Sequence, residues 1–146
     1  MPDNPSMGFP RVLPRLRYED VSSAITWLTE VFGVREHLRW ADKTGLVQHA
    51  EIRMGDVFVE LSAAHDEYET PKRLGKWSQS LIVLVDDVDA HHAKARAAGA
   101  DIITEPEDMP WGLRQYAADD LAGHRWEFAQ YMRDVPAAEW GAVLME

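Results

Sequence analysis

Leu16-Arg-Tyr-Glu-Asp-Val-Ser-Ser-Ala-Ile-Thr-Trp-Leu-Thr-Glu-Val-Phe-Gly33 runs from the end of a strand, through a capped amphipathic helix, to a glycine stop. Asp20 is placed to accept the first free helix N–H groups. Val21, Ile25, Leu28 and Phe32 follow at i, i+4, i+7 and i+11, which puts them on one helix face, and Gly33 supplies the left-handed residue that ends a helix. Upstream, residues 11–18 read as a strand despite Pro14, which marks either an edge strand or a strand start. Downstream, residues 34–40, 47–54 and 57–62 read as extended, the last two joined by a tight hairpin turn at Gly55-Asp56. The order over about 11–62 is βαβββ.

The same order returns after a polar linker at 63–78. Leu81-Ile-Val-Leu-Val85 is an apolar strand, Asp87 caps an Ala-rich helix that runs to Gly99, and extended pieces are expected at 101–104, 112–118 and 124–131. Sliding the chain by 67 positions lays Asp20-Val21 on Asp87-Val88 and Glu60 on Glu127, while Gly33 and Gly99 agree within one residue. Agreement in one shared register is what an internal repeat produces. The chain therefore divides into a flexible amino-terminal segment (1–10), one α+β domain (11–133) of paired βαβββ modules at about 11–62 and 79–131, and a tail or short helix (134–146). Pro136 suits the first turn of that helix, and Trp140 is its docking side chain.

Composition narrows the chemistry. There is no cysteine among the 146 residues, so disulfides, thiolate metal sites and cysteine nucleophiles are excluded, and the work falls to His, carboxylates, hydroxyls or a bound group. Twenty-five acidic against fifteen basic residues give a formal charge of −10, which makes phosphate backbones and anionic membranes poor partners. No apolar run approaches a bilayer span, and the expected location is cytoplasmic.

Several strings resemble the vicinal-oxygen-chelate superfamily, the family of glyoxalases, bleomycin-resistance proteins and extradiol dioxygenases. They are Leu16-Arg-Tyr-Glu-Asp-Val21 with Ala24-Ile-Thr-Trp-Leu28 and Val31-Phe-Gly33; Val85-Asp-Asp-Val88 with Ala97-Ala-Gly99; and Trp111-Gly-Leu-Arg-Gln-Tyr116 with Asp120-Leu-Ala-Gly-His-Arg-Trp-Glu-Phe128. The resemblance implies curved mixed sheets with helices on their convex side. In metal-dependent members it implies one ligand from the first strand and one Glu from the last strand of each module. The glutamates carry over onto Glu60 and Glu127, but the first-strand positions fall on Leu13 and Ser80. Leucine offers no lone pair, and a neutral serine hydroxyl is a weak partner for a first-row metal. The closing hairpin also departs from the family's Asp-Pro-x-Gly, having Asp-Leu-Ala-Gly.

Strand alternation puts Arg125, Glu127 and Ala129 on one face and His124, Trp126 and Phe128 on the other; likewise Phe58 and Glu60 oppose Val57, Val59 and Leu61. In the fold implied, both glutamates look into a cavity. Two roles are open to each: pairing with a cavity arginine, for which Arg15, Arg114 and Arg125 are the candidates, or contact with a ligand. Trp111, between Pro110 and Gly112, is placed to wall the cavity; Trp27 and Trp126 read as core; Trp40 and Trp77 are undecided. His91-His92 point about 100° apart on a helix and read as one surface and one helix-face histidine rather than a chelating pair. His49 and Glu51 share a strand face and could rebuild a metal site with Glu60; no metal is expected, and the residual candidates for one are Glu60, Glu127 and His49.

These readings predict a small-molecule binder of the drug-sequestering, antibiotic-resistance kind. Its cavity would be lined by Leu13, Arg15, Phe58, Glu60, Ser80, Trp111 and Glu127, formed in a homodimer, without a cofactor, and selective for cationic aromatic molecules. The alternative is a metal-dependent lyase, isomerase or dioxygenase that binds a divalent metal through a non-standard ligand set, completed by water, His49 or a further residue.

Overall fold

A computed structural model describes residue 10 and residues 12–145. The amino-terminal segment assigned above to residues 1–10 lies outside the described residues except for Pro10, as does Arg11, the start of the expected first strand. The contacts divide the chain into two compact units, one running up to Lys76 and taking in Leu121–His124, the other comprising Trp77–Asp120 and the chain from Arg125 onward.

In the first unit the elements are β1 (Arg15–Tyr18), α1 (Val21–Phe32), β2 (Arg35–Ala41), β3 (Val47–Met54), β4 (Val57–Ala63) and α2 (Pro71–Leu74). The sheet order is β1-β4-β3-β2, with β1 and β4 parallel and the remaining pairs antiparallel. β1 begins directly after Pro14 and lies at the sheet edge, where a residue that cannot donate to a ladder is tolerated. Helix α1 forms as its sequence requires. The Asp20 carboxylate accepts from the Ser23 backbone N–H at 3.1 Å, Gly33 closes the helix at φ 73°, and Val21, Ala24, Ile25, Leu28, Val31 and Phe32 are buried. Those side chains cover Leu16, Tyr18, Ala50, Ile52, Val59 and Leu61, the alternating buried set of β1, β3 and β4.

The 63–78 segment, read as a linker, contains a short helix. Thr70 is fully buried and caps α2, Pro71 occupies the first turn, and Gly75 ends it in the left-handed conformation. The Lys72 N–H then donates to the Ala122 carbonyl at 2.9 Å, which ties the 121–124 turn to this unit, and His124 Nε2 donates to the Arg17 carbonyl at 2.7 Å.

The second unit repeats the arrangement with β5 (Ser80–Leu84), α3 (Val88–Ala97), β6 (Asp101–Asp108), β7 (Leu113–Asp119) and β8 (Arg125–Tyr131), in the order β5-β8-β7-β6. Asp87 caps α3 through the Ala90 N–H at 3.0 Å. Trp126 and Phe128 are fully buried on the helix side, their rings stacked at 6.2 Å, and Trp126 Nε1–H donates to Asp120 at 3.0 Å. Strand β6 is longer than the 101–104 expected, because Leu113–Asp119 supplies a partner along its whole length despite two register shifts. A 3₁₀ turn at Ala137–Trp140 follows. Among the described residues no helix is long and apolar enough to cross a membrane.

Candidate ligand-binding site

The face of each sheet turned away from its helix carries the polar side chains, and ladder register decides which of them meet. In the first unit Arg15, Glu60, Glu51 and Leu38 are successive cross-strand partners, and Arg17, Ser62, His49 and Trp40 form the next row. Directly opposed residues in a ladder share a face. Glu60 is accordingly held from several sides. Arg15 donates through Nη2 at 2.9 Å, His49 Nδ1 lies 3.2 Å from Oε1, and Ser62 Oγ donates to the same oxygen at 3.3 Å. His49 Nδ1 also lies 3.0 Å from Ser62 Oγ, and the His49 ring sits 5.8 Å from that of Trp40. Phe58 is buried, with the Arg53 guanidinium over its ring at 4.6 Å. On the same face Glu51 Oε2 and Arg53 Nε are buried with no hydrogen-bond partner among the described residues.

In the second unit the row equivalent to Arg15–Glu60 is Ile82–Glu127–Ala117, and the row beside it is Ser80–Arg125–Asp119. Ser80 Oγ donates to Glu127 Oε2 at 2.9 Å. Arg125 does not hydrogen-bond Glu127. Its guanidinium pairs with Asp119, with Nη2 to Oδ2 at 3.2 Å, and lies over Trp77 at 4.7 Å. The Asp119 hydrogen bond chiefly, and the fields of Asp119, Glu127 and Asp101 in addition, raise Arg125 above its ordinary pKa. Asp101 completes the Arg125 row beyond Asp119, so three carboxylates surround one guanidinium on this face.

Of the residues singled out in the sequence, the structure brings Arg15, His49, Phe58 and Glu60 onto one face of the first unit, and Ser80 to Glu127 in the second. Leu13 precedes β1, and the residue opposite Glu60 is Arg15, two positions later. The residue opposite Glu127 is Ile82, which stands to Arg15 at the repeat spacing. Trp111 packs edge-on against Trp140 with ring centroids 6.0 Å apart. Arg114 is not a cavity arginine. It shares the helix-side face of β7 with Tyr116 and Ala118 and pairs with Asp89 and Asp108, as its place two residues before the buried Tyr116 already signals. His91 and His92 are both half-buried against Tyr116, neither being a surface residue. His91 Nδ1 is 2.7 Å from the Tyr116 hydroxyl, whose pKa burial pushes up.

A metal fits this donor set poorly. Arg15 is ion-paired with Glu60 at the place where a neutral or anionic ligand would be needed, and Ile82 stands opposite Glu127. Among the described residues no three His, Asp or Glu side chains gather as a metal site would require.

A repeated βαβββ unit with one acidic residue at the matching place in each last strand defines a class, and the comparisons agree with it. The chain belongs to the Glyoxalase/Bleomycin resistance protein/Dioxygenase superfamily, whose model matches residues 8–128. It is 31% identical over 140 residues to the uncharacterized protein Mb0911c of Mycobacterium bovis, covering 92% of each chain. Among solved structures it is similar to TioX from Micromonospora sp. ML1, with 38% identity and a TM-score of 0.70 over 85% of this chain and 100% of that one. TnmS3, an antibiotic binding protein from Streptomyces sp. CB03234, shares the fold at 21% identity and a TM-score of 0.66, over 84% of this chain and 97% of that one.

Proposed function

We propose that this protein sequesters a cationic aromatic small molecule in the manner of the antibiotic-binding members of its superfamily, without a metal and as a homodimer. The observation that carries the reading is the difference between the two glutamates. Glu60 is neutralised by Arg15, on a face that also bears Arg17 and Arg53. Among the described residues the hydrogen-bond donor to Glu127 is a neutral hydroxyl, on a face where Asp101, Asp119 and Glu127 outnumber Arg125. A carboxylate partly shielded from water and not matched by a cation of its own favours a positive ligand. Cation selection therefore belongs to Glu127. The described likeness to TnmS3 supports a ligand of antibiotic type. The apolar edge residues Ile82 and Leu84, 62% and 66% exposed beside Glu127, support a second copy as their cover.

Titration with N-methylquinolinium, followed by tryptophan fluorescence, tests this. Quenching that weakens with added salt and falls about tenfold or more in affinity in Glu127→Gln, but little in Glu60→Gln, is the expected result. A preference for naphthoate over the cation, or stoichiometric transition metal in the purified protein, overturns the reading.

A further inference from the structure

The hydrogen bonds around His49 determine which of its nitrogens bears the proton. Ser62 Oγ spends its single hydrogen on Glu60 Oε1 at 3.3 Å, so toward His49 it is an acceptor. The Glu60 carboxylate, paired with Arg15, is an acceptor as well. His49 Nδ1 faces both of these oxygens, at 3.2 and 3.0 Å, and must therefore carry the hydrogen. In the neutral ring the lone pair is then on Nε2. The His49 side chain is 48% exposed, and its cross-strand neighbour Trp40 is 55% exposed, so an oriented acceptor and a flat apolar ring stand side by side on the open face.

We infer that His49 Nε2 and the Trp40 ring form a subsite in the first unit for a flat aromatic bearing a hydroxyl, the ring lying on Trp40 and the phenolic O–H donating to Nε2. The inference rests on the small-molecule-binding reading and deepens it by naming a second determinant, separate from Glu127. Arg15, Glu60 and Ser62 are positioning residues here. They hold the imidazole in one tautomer and one orientation, so that the acceptor is ready before the ligand arrives and less ordering is needed on binding. A phenol suits this acceptor better than an ammonium does, because Nε2 offers a lone pair to an O–H donor while Glu60, the carboxylate beside His49, is already ion-paired with Arg15.

Calorimetric titration of the full chain with 2-naphthol and with 2-methoxynaphthalene, which has the same ring system but no donor, tests the subsite. The hydroxyl compound is expected to bind about tenfold more tightly, the scale of one good hydrogen bond. His49→Phe, which keeps a ring beside Trp40 but removes the acceptor, should abolish that ratio while leaving the ether bound. Trp40→Ala should weaken both compounds alike. Nitrogen-15 spectra of the unaltered protein at about pH 8, where an ordinary imidazole is neutral, give a readout that no variant's folding can confuse. A protonated Nδ1 is expected, and a protonated Nε2 overturns the inference. Equal affinities for the two naphthalenes, or a ratio that survives in His49→Phe, also overturn it. N-methylquinolinium binding that is unchanged in His49→Phe shows that such a failure belongs to this subsite and not to the cation-binding reading.

Discussion

At the scale of single residues, Gly123 shows how one position can serve a fold without touching a ligand. It lies in the Leu121-Ala-Gly-His124 turn at φ 82°, and a Cβ placed there would meet Lys72 N at 2.9 Å and Lys72 Cα at 3.2 Å. Both constraints come from backbone, which cannot rotate away as a flexible side chain does. Gly123→Ala should destabilise the protein by about 1–3 kcal/mol, seen as a lower urea midpoint, with an unchanged midpoint contradicting this account. Leu121 stands at the Pro position of the resembling family's turn, and the carbonyl of the next residue, Ala122, accepts from the Lys72 N–H. Glu60 was legible as a face-sharing carboxylate from strand alternation. Pairing with an arginine was legible too, Arg15 being one of three candidates; the choice among the three, and the fact that Arg15 rather than the residue at position 13 stands opposite Glu60, were not, because a parallel pairing across forty-five positions of chain leaves no periodic trace.

At the scale of elements, the β2–β3 connection positions the proposed subsite, since Trp40 and His49 lie on its two arms. Asp42 organises that connection, accepting from the Thr44 N–H at 2.8 Å, the Thr44 hydroxyl at 2.6 Å, the Leu46 N–H at 3.2 Å and Gln48 Nε2 at 2.9 Å. Those bonds, the Thr44 hydroxyl foremost, lower its pKa from 3.8 to about 2. A depressed carboxylate pKa means that the folded turn prefers the ionised form, so its contribution is fully present above the ordinary value of 3.8 and is lost as pH falls toward about 2. Asp42→Ala should increase amide exchange across 42–48 at neutral pH, and in the unaltered protein the same amides should lose protection selectively between about pH 4 and pH 2. Uniform protection across that interval would remove Asp42 from this role. The helices of both modules were readable from their caps and apolar spacing, whereas α2 was hidden within a polar stretch, because a helix of four residues has no periodicity to display.

At the scale of the molecule, the exposed apolar edge at Ile82 and Leu84 and the formal charge of −10 act in opposite directions on self-association. Light scattering at micromolar concentration and moderate salt is expected to give twice the 16.6 kDa mass of one chain, and Ile82→Lys with Leu84→Glu should halve it; a monomeric unaltered protein at the same concentration refutes the homodimer. Patterns confined to a few neighbouring residues were enough for the α+β class, the two βαβββ modules, the capped helices and the placement of both glutamates opposite a packed face. Each of those features follows from the turn of a helix, the alternation of a strand or a repeat in register, and all are local or self-similar quantities. The electrostatic identity of the two faces came from ladders joining distant strands. Those ladders neutralise Glu60 with Arg15, leave Glu127 to Ser80, turn Arg114 to the helix side and set His49 beside Trp40. Such pairings depend on which strands become neighbours and at what offset, and the free energy that chooses the offset is that of burying the whole opposite face, to which the polar residues themselves contribute little.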